Sequence, residues 1–151
     1  MFASLMIVAA WTDAIDYKIP NRLIVALLIL YPAYVLTATR AINWPMDIAL
    51  ATGILAAGLV LYGTGKFGAG DVKLIAAASV WAGTEHALNF ILLIGIAGGA
   101  VALAYILRIN FGWVVGRPPV GDKTKLLPYG IAIAAGGLFV AAKLIINAHA
   151  V

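Results

Sequence analysis

Six stretches of this chain, 1–12, 23–39, 48–65, 74–84, 87–107 and 126–142, contain no Asp, Glu, Lys or Arg. Each is continuously apolar instead of alternating with period two, a pattern that predicts helices and argues against a β-barrel. A helix rises about 1.5 Å per residue, so about 20 residues cross a hydrocarbon core near 30 Å. The run 87–107 reaches that length unaided, and 23–39, 48–65 and 126–142 reach it with their flanks. The runs 1–12 and 74–84 fall short, yet one leads into Asp13 and the other begins just after Asp71. The expectation is an all-α polytopic membrane protein with six transmembrane helices, the first and fourth short at the cytoplasmic side, in a single domain over 1–151.

Composition strengthens that expectation. Of 151 residues, 64% are hydrophobic and 11% charged, whereas soluble domains carry about 25% charged residues. The mean hydropathy is +1.05. Too few polar groups exist to cover a water-facing surface, so a soluble globule is excluded. The net charge of +4 comes from cations dispersed between apolar runs, which points to membrane orientation and not to a basic face that binds nucleic acid. Lys18, Arg22, Lys66, Lys73, Arg108, Arg117, Lys123 and Lys125 fall in the odd-numbered connections, and only Arg40 and Lys143 on the other side. The positive-inside rule then predicts the odd connections in the cytoplasm, together with Asp13, Asp16, Asp71 and Asp122, and both termini opposite. The chain has no cysteine, which excludes thiol catalysis, disulfides and Cys-ligated metals. No Lys or Arg precedes Lys18, so residues 1–10 lack the basic region of a signal peptide and are read as mature chain.

Two aspartates stand out. Pro20 forces its predecessor toward extended backbone, predicting a helix that ends near Ile15 to Tyr17 and a second that starts at Pro20–Asn21; Asp13 then lies in the last turns of the first. A carboxylate at the edge of hydrocarbon is costly and usually faces a bundle interior or a wet cavity, although an interfacial charge that merely ends a helix fits equally well. Asp71 follows Gly68-Ala-Gly70 and reads as the N-cap of the next helix, an ordinary capped start when taken alone. As a pair they say more. They are 58 positions apart, on different helices, with the same expected side and short spans. Two carboxyls in one such depression share a proton, one acting as acid and the other as base toward water and a peptide carbonyl. Other catalytic options are thin: Ser4 and Ser79 are the only serines, neither in a Gly-x-Ser-x-Gly turn, and His86 and His149 the only histidines.

Asp13, then Ile19-Pro20-Asn21, then Gly68-Ala-Gly70-Asp71-Val-Lys73, and finally Pro128-Tyr129-Gly130 resemble, in order, the motifs of the type IV prepilin peptidases, in particular the small members serving tight-adherence (Flp) pili. Presenilin-like proteases share Gly-x-Gly-Asp, but their Pro-Ala-Leu segment is replaced here by Pro128-Tyr129-Gly130. The resemblance implies an aspartic endopeptidase in the inner membrane that removes the short basic leader of prepilins and pseudopilins at the cytoplasmic face, just before their hydrophobic segment. It implies Asp13 and Asp71 as the catalytic pair, with Gly68, Gly70, Lys73, Pro20, Asn21, Pro128, Tyr129 and Gly130 in support. It implies no cofactor and no metal, and the lipid bilayer and pilus assembly machinery as partners. Larger relatives add a cytoplasmic region, often with cysteine pairs, and methylate the new N-terminus; methyltransferase activity is not expected here. Because the leader is basic, Asp16 and Asp122 are the expected substrate-binding acids. The competing expectation is a small membrane transporter or a non-catalytic pilus-assembly subunit, in which the aspartates bind a cation or hold helices together.

Overall fold

Proline and glycine punctuate the first half of the chain as their backbone limits require. In the computed structural model, which describes residues 1–38, 41–65, 67–114 and 129–149, helix α1 (Phe2–Asp16) ends as Tyr17 turns to φ 52 and donates its N–H to the carbonyl of Asp13. Pro20, extended at ψ 133, precedes α2 (Asn21–Thr37). Pro45 stands in the first turn of α3 (Trp44–Gly63), where its missing N–H costs nothing. The chain then turns at Gly65, with φ 73, into α4 (Ala69–Val114), and α5 (Tyr129–His149) completes the described part.

The expectation of six transmembrane helices is overturned. Among the described residues there are five helices, and three of them, α3, α4 over Ala69–Leu107 and α5, are long and apolar enough to cross a membrane. The runs 74–84 and 87–107 both fall within α4, whose two helical parts meet at a kink at Gly83 (φ 59, ψ −179). Glu85 and His86 between those runs read as a connection in the sequence, but a polar pair does not by itself stop a helix. The first two helices, of 15 and 17 residues, are below the about 20 residues of a typical crossing.

The core lies where α4 meets its neighbours. α5 packs against α4 and α1, and α3 against α4, while α2 makes a lighter contact with α4 and α1. Met6, Leu27, Leu74, Phe90, Ile133 and Val140 are fully buried there. Close approach relies on absent side chains, as is usual between membrane helices: a Cβ on Gly58 would stand 2.6 Å from Val72, and one on Gly137 2.5 Å from Met6.

At one end of the bundle Trp81 stacks between Phe2 and Tyr34, with ring centroids 4.9 and 5.3 Å away, and donates its indole N–H to the carbonyl of Leu27 at 3.0 Å. Beside it, the break in α4 is closed by a residue of another helix. Asp47 of α3, 6% exposed, accepts the Thr84 N–H at 2.9 Å and the Tyr31 hydroxyl at 3.0 Å. Its carboxylate thus caps the second part of α4 from outside that helix, at the positive end of a helix dipole. A Cβ on Gly83 would come within 3.1 Å of that carboxylate, and the backbone conformation there belongs essentially to glycine alone. Among the described residues, the opposite end gathers the last turn of α1, the start of α2, and the first turns of α4 and α5.

Candidate active site

Asp13 reaches this second end from the last turns of α1. It is 5% exposed, and its Oδ2 accepts the N–H of Gly130, the second residue of α5, at 2.7 Å. The bond exists because Gly130 has no side chain: a Cβ there would fall 2.6 Å from the Asp13 Cβ and 2.8 Å from Oδ2. α1 lies outside the three membrane spans. Burial raises the Asp13 carboxyl above its ordinary range, and the Gly130 N–H, by favouring the ionised form, opposes that rise.

Asp71 approaches from α4. The helix begins at Ala69, so Asp71 is its third residue and not the N-cap that the sequence predicts. Gly68 holds the capping position, and the Asp71 carboxylate folds back beside it. A Cβ on Gly68 would stand 2.8 Å from Asp71 Oδ2, so the first glycine of Gly-x-Gly-Asp leaves room for the carboxylate to fold back. The second seats the helix: a Cβ on Gly70 would come within 3.3 Å of the Ile19 side chain. Asp13 is therefore held by the Gly130 N–H, and Asp71 occupies the space that Gly68 leaves open.

The remaining motif residues surround this pair. Pro20 and Asn21 are exposed at the start of α2, and the Lys73 ammonium donates to Asn21 Oδ1 at 3.4 Å. Tyr129 is half-buried and stacks on Phe67, with ring centroids 5.9 Å apart, and a Cβ on Gly98 would sit 3.4 Å from its ring. Asp16 is exposed on the final turn of α1, three residues beyond Asp13. Pro128 and Asp122 lie outside the described residues. Among the described residues, no three of His, Asp and Glu gather closely enough to hold a metal ion.

Sequence reasoning missed two contributors. Phe67 fixes Tyr129 by stacking, and its only signal was an aromatic residue beside the glycine motif. The other, Asp47, belongs to the opposite end of the bundle, and the signal that could have found its capping role is Gly83-Thr84, a helix restart with no capping side chain of its own.

The model of the type IV leader peptidase family matches residues 1–103, a stretch that includes Asp13 and the whole Gly68–Asp71 turn. No curated protein and no solved structure matches the chain.

Proposed function

We propose a catalytic reading that proceeds from one fact: the chain belongs to the type IV leader peptidase family, and is a multi-pass membrane aspartic endopeptidase acting on prepilin-type substrates. Family membership sets aside a transporter. In this reading Asp13 and Asp71 are the catalytic pair, and the observation that carries it is the bond from Gly130 to the buried Asp13, which fixes that carboxyl at the end of the bundle where α4 and Asp71 begin.

The chemistry needs one proton shared by two carboxyls. The ionised member takes a proton from water while the protonated member gives its own to the carbonyl oxygen of the scissile peptide. Water oxygen bonds to the carbonyl carbon, and a neutral tetrahedral diol forms. Collapse breaks the C–N bond as a proton passes to the departing amine, leaving the leader's carboxyl end and the new N-terminus. No covalent intermediate is required. The Gly130 N–H orients the Asp13 carboxyl throughout.

We further assign the site to the cytoplasmic face, because Lys18, Arg22 and Lys73 are exposed around it and cations collect on that side. The start of α1 and the end of α5 are then at the opposite face. The assembly machinery would receive the mature pilin from this site.

Co-expression with a Flp-type prepilin tests the reading. Leader removal is expected with the wild-type chain and is expected to fall by about 10²–10⁴-fold or more in Asp13→Ala and in Asp71→Ala, the range that a positioned acid or base contributes. Cleavage near the wild-type rate in either variant overturns the assignment. The rate should also pass through a maximum with pH, its two limbs belonging to the pair and not to either residue.

A further inference from the structure

The segment that leads into α4 is loosely built. It turns at Gly65, with φ 73, and reaches α4 through the exposed Gly68, and glycine leaves the backbone its widest choice of conformation. Between these two glycines Phe67 is half-buried, and its ring stacks on Tyr129 with centroids 5.9 Å apart and planes 26° from parallel. Tyr129 is the first residue of α5. Its ring has a second neighbour, because a Cβ on Gly98, in the part of α4 beyond the kink, would stand 3.4 Å from it. Tyr129 is thus seated on the bundle, and Phe67 on Tyr129.

Each ring is one peptide bond from a glycine that touches an aspartate. Tyr129 is followed by Gly130, whose N–H reaches Asp13 Oδ2 at 2.7 Å. Phe67 is followed by Gly68, where a Cβ would stand 2.8 Å from Asp71 Oδ2. Contacts therefore run from one carboxyl to the other: Asp13 to Gly130 and its neighbour Tyr129, across the rings to Phe67, and through its neighbour Gly68 to Asp71.

We propose that Phe67 is a positioning residue whose stack with Tyr129 ties the Gly68 turn to the start of α5 and so sets the spacing of the two carboxyls. This rests on Asp13 and Asp71 being the catalytic pair, and adds the contact that joins their turns. Phenylalanine has no group that gives or takes a proton, so its effect passes through the turns it joins. Magnitude decides the form of that effect. An offset aromatic pair shifts an equilibrium by about 2–10-fold, too little to decide whether the bundle folds but enough to decide how often the Gly68 turn sits in place. A displacement near 1 Å at reacting groups can cost about 10²-fold in rate, so molecules with the turn out of place contribute little. Losing the stack then lowers the competent fraction, which is read in kcat and not in KM.

Kinetics with a Flp-type prepilin measure this. Phe67→Leu and Tyr129→Leu keep an apolar side chain and remove the stack; each is expected to lower kcat by about 2–10-fold with KM unchanged. Phe67→Tyr keeps the ring and is expected to cleave at the wild-type rate. The double variant, Phe67→Leu with Tyr129→Leu, is expected to be no slower than the slower single variant, because both remove the same contact. A wild-type kcat in Phe67→Leu, a loss that falls on KM, a Phe67→Tyr as slow as Phe67→Leu, or single losses that multiply in the double variant overturns the proposal.

A second arm reads position without substrate. The chain has no cysteine, so spin labels attach only at Ile15→Cys, 58% exposed near the end of α1, and Ala69→Cys, exposed at the start of α4. Double electron–electron resonance in lipid bilayers is expected to give one narrow distance with Phe67 or Phe67→Tyr, and an added population at other distances with Phe67→Leu. The same distribution in all three overturns the proposal. The two failures separate: if Asp13→Asn or Asp71→Asn still cuts, the catalytic reading fails while the distances still report the stack; if both are inactive and Phe67→Leu changes neither kcat nor the distances, the stack alone is wrong.

Discussion

At Gly130 a missing methyl group sets the geometry of the site. The N–H of this residue reaches Asp13 Oδ2 at 2.7 Å because nothing intervenes, and an added Cβ would press on the aspartate at 2.6 Å. Overpacking of this kind costs about 1–3 kcal/mol, and a displacement near 1 Å at reacting groups can cost about 10²-fold in rate. Gly130→Ala is therefore expected to slow leader cleavage about 100-fold with the protein still membrane-inserted, whereas Gly95→Ala, with open space around it, should cleave at the wild-type rate. Equal rates for both variants would contradict the role given to Gly130. The aspartates themselves were legible because a carboxylate at the edge of an apolar run needs a reason. The contact between Asp13 and Gly130 was not, since it joins residues 117 positions apart and a glycine near a helix start reads equally well as packing. The position of Asp71 was misread by three residues for a local reason: Asp suits the capping position, but here Gly68 occupies it and the acid reaches back.

The elements show a different limit of the sequence. Charge-free runs located apolar helix well, and Pro20 marked the passage from α1 to α2, but the runs could not say whether two of them are continuous. α4 answers through one residue, Gly83, whose φ of 59 breaks the helix while the chain carries on, with the cap supplied by Asp47 from α3. Such a cap is a tertiary contact, invisible to local pattern. Asp47→Ala removes the acceptor of both the Thr84 N–H and the Tyr31 hydroxyl, and a buried donor left unpaired costs about 1–3 kcal/mol. Gly83→Ala forces a side chain into a conformation that costs about 1–3 kcal/mol. Both variants are expected to unfold at lower temperature than wild type in detergent, and an unchanged midpoint in both would remove Asp47 and Gly83 as the joint of α4.

Across the whole molecule, composition decided the solvent, and charge carries the orientation proposed for it. The exposed cations Lys18, Arg22 and Lys73 stand at the dyad end, and Asn43, exposed before α3, stands near the Asp47 joint at the other. With no native cysteine to interfere, Lys18→Cys is expected to react with a membrane-impermeant maleimide only after cells are opened, and Asn43→Cys in intact cells; the reverse pattern would turn the molecule over. The number of crossings was the part of the whole that the sequence could not supply, because it depends on how α4 is joined. In the proposed reading the function depends less on that count than on Asp13 and Asp71. Its most direct test is the mass of a Flp-type pilin recovered from membranes containing wild-type chain, Asp13→Asn or Asp71→Asn, substitutions that keep the shape of each side chain and remove its ionisation. Mature pilin with wild type, and only full-length prepilin with each variant at equal membrane abundance, is the expected result; mature pilin in the presence of either variant would contradict the account.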